Sequence, residues 1–128
     1  MRILLDTNFI ITCAKEGIDF ERLANEIIDE KIEWIVPQEV LNELGNLKDR
    51  RGVKVKDRLA SKIGFEILSR IKPKVVELGC RSNVDIGIIN YILGTDIVLA
   101  TLDREMKKKT GNRILTIRAR KKLELQTR

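Results

Sequence analysis

The chain is expected to fold as one α/β domain around a mainly parallel sheet of about five strands. Three observations predict this. Short apolar runs alternate with longer segments of helical period, the pattern of parallel-sheet proteins. The 128 residues suit a single compact domain (1–128), with a basic C-terminal tail from about residue 118. The composition is 43% apolar and 34% charged, with no repeat or low-complexity linker, which describes a folded chain with a heavily charged surface.

The strands follow from the apolar runs: Ile3 to Leu5, Trp34 to Val36, Val75 to Leu78, Ile97 to Ala100 and Ile114 to Ile117. Helical spacing fills the intervals near Phe9 to Lys15, Phe20 to Glu30, Pro37 to Leu47, Val53 to Ile71, Val84 to Leu93 and Arg104 to Lys109. Pro37 suits a first helical position, Pro73 pushes Lys72 out of the preceding helix, and Gly111 follows "KKK" as a C-cap follows a cationic last turn. The stretch "GNLKDRRGVKVKDRLASK", residues 45–62, reads equally well as a nucleic-acid-facing arm and as a solvated helix face. The tail "RARKKLELQTR" reads as basic and frayed.

Composition also excludes chemistry. There is no histidine, so neither a Ser-His-Asp triad nor a His-bound zinc is available. A net charge of +6 favours a polyanionic partner, nucleic acid before membrane. Cys13 and Cys80 are too few and too far apart for a metal knuckle or a secreted disulfide scaffold. With neither a signal-peptide core nor an 18-residue apolar span, a soluble cytoplasmic protein with no membrane partner is expected.

Carboxylates are what remain. In an open parallel sheet, ligands collect beyond the carboxyl ends of the strands, where strand order reverses. Asp6 follows "ILL" and Asp103 follows "IVLATL", so each leaves a buried strand at the start of a helix. Asp85 lies in the first turn of another helix. Each could simply cap helix amides. Glu39 and Glu43 sit four apart on one helix, where like charges repel, and Glu43 borders the apolar stripe of Val40, Leu41, Leu44 and Leu47, which would let its carboxylate enter a cleft. Acids converging there would raise one another's pKa unless a cation joined them, and oxygen ligands suit Mg²⁺ or Mn²⁺ better than zinc.

These segments together resemble the PIN-domain nucleases, which include ribosomal-RNA processing enzymes and VapC toxins. "LLDTNFII" is similar to the family's opening Asp-Thr-Asn, "VPQEVLNEL" to its glutamate helix, "NVDIGIINYI" to its central aspartate helix and "IVLATLDREMKKK" to its Thr-x-Asp segment. "ILTIRARKKLEL" resembles the rRNA-processing branch more than the toxins. The resemblance implies a Rossmann-like α/β/α sandwich whose pocket binds Mg²⁺ or Mn²⁺ and cuts RNA. Carried over, the catalytic and metal-binding acids are Asp6, Glu43, Asp85 and Asp103, with Asn8 and Thr101 orienting them. Glu105 stands where many members have an aspartate and is an outer ligand. Lys107, Lys108 and Lys109 are candidates for contacting RNA, with solvent as their alternative setting. The resemblance also implies a homodimer and a ribosome-assembly or antitoxin partner. Two alternatives stay open beside it: a non-catalytic RNA- or protein-binding module on the same fold, and the toxin of a toxin–antitoxin pair.

Overall fold

A computed structural model describes residues 1–49, 52–80 and 82–126. The order of elements is β1 (Arg2–Leu5), α1 (Thr7–Glu16), α2 (Phe20–Ile27), β2 (Glu33–Pro37), α3 (Gln38–Asp49), α4 (Val55–Ile71), β3 (Lys74–Val76), α5 (Val84–Ile92), β4 (Val98–Ala100), α6 (Arg104–Lys109), β5 (Ile114–Arg118), a short 3-10 turn (Ala119–Lys121) and β6 (Lys122–Gln126). The strands form one sheet in the order β3-β2-β1-β4-β5-β6. Every pairing is parallel except β5 with β6. Strand order therefore grows one way from β1 through β3, then crosses back to β4, so the reversal falls between β1 and β4.

Ile3, Leu4 and Leu5 of β1 are fully buried, as are Leu99 and Ala100 of β4. Successive strand side chains point to opposite faces, so the centre of the sheet is covered by helices on both sides. On one face Phe9, Phe20 and Trp34 meet edge to face, with ring centroids 5.5 and 5.2 Å apart. Helices α1, α3 and α4 pack on one another, and α5 packs on α6. Fully burying each large apolar side chain contributes roughly 1.5–3 kcal/mol, which is what fixes the strand ends in register. Gly64 on α4 lets Ile10 of α1 approach, since a Cβ at that position would stand 3.0 Å from the isoleucine methyl.

Four features depart from the sequence reading. The sheet has six strands, because "KLELQ" pairs antiparallel with β5 and buries Leu123. The alternation of leucine with charged residues is a half-buried edge strand, not a frayed tail. Pro37 is the last residue of β2 and is buried, and α3 begins at Gln38; the proline lacks an N–H but costs no ladder bond at a strand end. Helix α2 stops at Ile27, because Ile28 turns extended and inserts into the core. Helix α6 ends on Thr110 in extended backbone rather than on a left-handed Gly111; the Thr110 hydroxyl accepts the Asn112 N–H at 3.2 Å instead. Lys72 does leave its helix before Pro73, in the left-handed region at φ 49°. No helix among the described residues is long and apolar enough to cross a membrane.

Candidate active site

The carboxyl end of β1 sets the geometry. Asp6 is extended and caps α1, and its own N–H donates to the Ala100 carbonyl at 3.0 Å, which ties the end of β1 to the end of β4. Its two carboxylate oxygens are separately occupied: Oδ1 accepts the Thr7 N–H at 2.8 Å, and Oδ2 accepts the Thr101 hydroxyl at 2.8 Å. Thr101 Oγ1 in turn accepts the Asp103 N–H at 3.1 Å. Asn8 Oδ1 accepts the Leu102 N–H at 3.2 Å and lies 3.4 Å from the Thr101 hydroxyl. That hydroxyl has one proton, and the shorter contact to the charged acceptor Asp6 takes it. The Asp-Thr-Asn triplet and the Thr-x-Asp segment thus interlock across the reversal point, through both side chains expected to orient the site.

Asp103 caps α6, with Oδ1 accepting from Glu105 and Met106 at 2.8 and 3.2 Å. Asp85 is the second residue of α5, whose cap is Asn83 in the left-handed region. Glu43 projects from α3, and its Oε1 accepts the Thr7 hydroxyl at 3.2 Å. All four predicted acids line one open cleft of about 360 Å³. Capping and cleft-lining are therefore not alternatives at Asp6 and Asp103: each does both.

Charge in the cleft is poorly compensated. Burial pushes the Asp6 carboxyl up to about 6; the Thr101 and Thr7 hydrogen bonds oppose this, and the charges of Asp85 and Glu43 add to it. Burial likewise raises Glu43, against the Thr7 bond and with Asp85. Burial and the charge of Asp103 raise Asp85, partly offset by Lys109. Three acids held above their ordinary range by burial and by neighbouring acids form a site short of positive charge.

A hard divalent cation fits this donor set, which is all oxygen and contains no imidazole or thiolate. Among the described residues, no three acids stand tightly enough to grip one ion directly. A hydrated Mg²⁺ or Mn²⁺ keeps several waters and needs only one or two carboxylates from the protein.

Other expected residues are placed differently. Glu39 leaves the cleft, and both its oxygens accept the Leu78 N–H at 3.2 Å. Glu105 is exposed beside Lys108, at 4.0 Å. Lys107 directs its ammonium to Thr116 Oγ1 at 2.8 Å, and burial lowers its pKa. Lys109 is the member of the lysine run whose charge reaches Asp85.

Two further residues of the cleft lie outside the sequence expectation. Asp57, in the first turn of α4, also lines the cleft; Lys15 pairs with it and holds its carboxyl below the usual range. It resembles Asp85 in position, a first-turn aspartate, but sits inside a cation-rich stretch where no acidic cluster marks it. Thr7, the middle residue of the triplet, holds Asp6 through its amide and Glu43 through its hydroxyl.

An α/β sheet with carboxylates converging at its reversal point defines the class of acidic-cleft α/β domains. Within that class the chain belongs to the family described as the PIN like domain, which matches residues 3–122. A curated relative, Ribonuclease VapC4 of Methanocaldococcus jannaschii, is 27% identical over 128 residues, covering 97% of this chain and 95% of its own. Among solved structures, that of the PIN domain endonuclease Utp24 is similar with a TM-score of 0.76 at 21% identity, covering 97% of this chain and 90% of that one. VapBC2 from Rickettsia felis, solved bound to a DNA fragment from its promoter, is similar with a TM-score of 0.63 at 14% identity, covering 91% and 98% respectively. These two structures share the fold.

Proposed function

We propose that the chain is a divalent-metal-dependent endoribonuclease that hydrolyses RNA phosphodiester bonds in the cytoplasm. The observation that carries this reading is the cleft itself: Asp6, Glu43 and Asp85 share it with Asp103, all three have raised pKa values, and no histidine exists to do the chemistry instead. The family membership and the ribonuclease name of the curated relative support it.

In this reading Asp6, Glu43, Asp85 and Asp103 hold Mg²⁺ or Mn²⁺. When bound, the cation lowers the pKa of a water and stabilises the charge that grows on the phosphate oxygens. The rest falls to the chain. Thr101 and Thr7 fix both oxygens of Asp6, so this carboxylate cannot swing when substrate arrives. Asn8 anchors the backbone at Leu102 and so the approach to Asp103. Glu43, held by one threonine hydroxyl, keeps its other oxygen available as a ligand or proton acceptor. The overall charge of +6 draws the RNA backbone toward a cleft that would otherwise repel it.

Two settings for the substrate are supported by different features. The C-terminal segment resembles the ribosomal-RNA processing branch, with a ribosome-assembly partner; the family resemblance also takes in the VapC toxins, and a curated relative named Ribonuclease VapC4 supports that branch, with an antitoxin partner. Growth arrest on expression, relieved by a neighbouring small gene, selects the toxin.

The test is RNA cleavage in Mn²⁺, in EDTA, and by Asp6→Asn. Internal cuts in Mn²⁺ alone, lost in the variant, are expected. A chain that binds RNA yet never cuts structured or unstructured substrate in Mn²⁺ is a binding module, and the catalytic reading is then wrong.

A further inference from the structure

Beside the acidic cleft, on a neighbouring face of the same helix, lies an open pocket of about 530 Å³ lined by residues 78–80, Ser82, Asn83 and α5. We infer that it is a nucleobase subsite, which takes one unpaired base of the RNA strand whose backbone crosses the cleft. The inference rests on the ribonuclease reading and adds to it a place where bases, rather than phosphates, are held.

The position follows from helical period. Asp85 faces the cleft, whereas Asn83, Ile86 and Gly87, and then Asn90 and Tyr91, recur every three to four residues along a neighbouring face and line the pocket. Tyr91 stands in the last turn of α5, about 9 Å along the axis from Asp85 at 1.5 Å per residue, so a strand that leaves the cleft and runs along α5 meets both.

The lining has the chemistry a base requires. Its described residues include no carboxylate, lysine or arginine, in contrast to the acids a few residues away. Stacking works without charge, so it can hold a strand where acids repel its phosphates. Tyr91 supplies the aromatic surface: it is 38% exposed, while Phe9, Phe20 and Trp34 are buried and Phe65 lies half-buried beneath the Lys48 ammonium. Ile86, 48% exposed, adds an apolar wall. Ser82 and Asn90 also line the pocket, a hydroxyl and an amide of the kind that read base edges in single-stranded RNA.

The pocket is also shaped by backbone features. Gly79 and Asn83, which both line it, have left-handed backbone at φ 74° and 51°. At Gly87 a Cβ would stand 2.6 Å from Cys80 Sγ, so the thiol packs directly on the helix and the floor admits no side chain. The volume lies within the range of about 300–1,000 Å³ usual for small-ligand sites.

The test measures binding of the full chain, in EDTA, to a short single-stranded oligoribonucleotide by fluorescence anisotropy. A series of the same oligonucleotide lacks one base at successive positions, with the ribose-phosphate intact. One position should cost about tenfold in affinity, or about 1.4 kcal/mol. Tyr91→Ala should bind the intact strand about tenfold more weakly and show no penalty at that position, Tyr91→Phe should keep it, and Asn90→Ala should reduce it. Three results overturn the subsite: a flat series in a parent that binds RNA, a positional penalty that survives in both Tyr91→Ala and Asn90→Ala, or a Tyr91→Ala change that shifts mass in light scattering and so assigns the face to a second copy. A chain that binds no RNA in EDTA also overturns the subsite, whereas the ribonuclease reading stands or falls separately on cleavage in Mn²⁺.

Discussion

The two ends of the parallel sheet use the same residue types to opposite effect. At the amino ends, acids meet cations one to one: the terminal ammonium pairs with Glu30 and Arg2 pairs with Asp96, each at 2.7 Å. The Arg2 hydrogen bond holds the Asp96 carboxyl below its ordinary range. At the carboxyl ends, burial first and neighbouring acids second hold Asp6, Glu43 and Asp85 above theirs, with threonines rather than cations as the side-chain partners of Asp6 and Glu43. Folding alone would favour the first arrangement everywhere, since crowded acids destabilise a fold that nothing neutralises. The contrast teaches where the chain gives up stability, and sites that do so are where function is sought.

The sharpest way to break the contrast is to alter an acid at each end. Asp103→Asn keeps a good helix cap for α6, because asparagine caps about as well as aspartate. Its effect should therefore fall on chemistry: cleavage in Mn²⁺ is expected to drop about a thousandfold, or about 4 kcal/mol of barrier, with the melting temperature little changed. Equal losses of activity and stability would instead leave Asp103 as a cap and nothing more.

Asp6→Asn sharpens the comparison through pH. The folded carboxyl titrates at about 6 against an ordinary 3.8, so between these values the unfolded chain releases a proton that the fold retains. Metal-free stability then falls as pH rises through this window, by about 3 kcal/mol when complete. Asparagine removes that cost while retaining an acceptor for Thr7 and a partner for Thr101. In EDTA the variant should exceed the parent by about 2 kcal/mol at neutral pH and lose the advantage near pH 4. Urea titrations at both pH values check this, and a variant weaker than the parent at both shows that capping outweighs repulsion.

The smallest effect belongs to the other end. Asp96→Asn breaks an exposed pair, so neither melting temperature nor cleavage should move measurably. A clear loss would mean that the amino-end pairs are not the passive surface contacts described above.

What the sequence disclosed depended on how local the signal was. Asp6 and Asp103 were legible because each follows an apolar strand directly, and strand ends of a parallel sheet fix a position in space without any knowledge of packing. Glu43 was legible from its place beside the apolar stripe of α3. Asp57 was not, since its approach to the cleft depends on α4 packing against α1 and α3, a contact no periodicity encodes. The edge strand β6 was hidden by its own exposure: Lys122, Glu124 and Gln126 alternate with the leucines that pair it to β5, and their charge read as a tail. Lys107 looked like its two neighbours, yet the turn of α6 directs it to Thr116.

The central claim is that a cation supplies the positive charge that the carboxyl end lacks. Calorimetric titration of Mn²⁺ into the metal-free protein tests it most directly, repeated near pH 6 and pH 8 in buffers of different ionisation enthalpy. Ligand carboxylates must be ionised to bind, so a site with Asp6 half-protonated near pH 6 should release on the order of half a proton or more per ion there and almost none near pH 8. In Asp6→Asn the binding should weaken and the proton release should shrink. Absence of Mn²⁺ binding, or binding of equal strength and proton release in Asp6→Asn, would contradict the account.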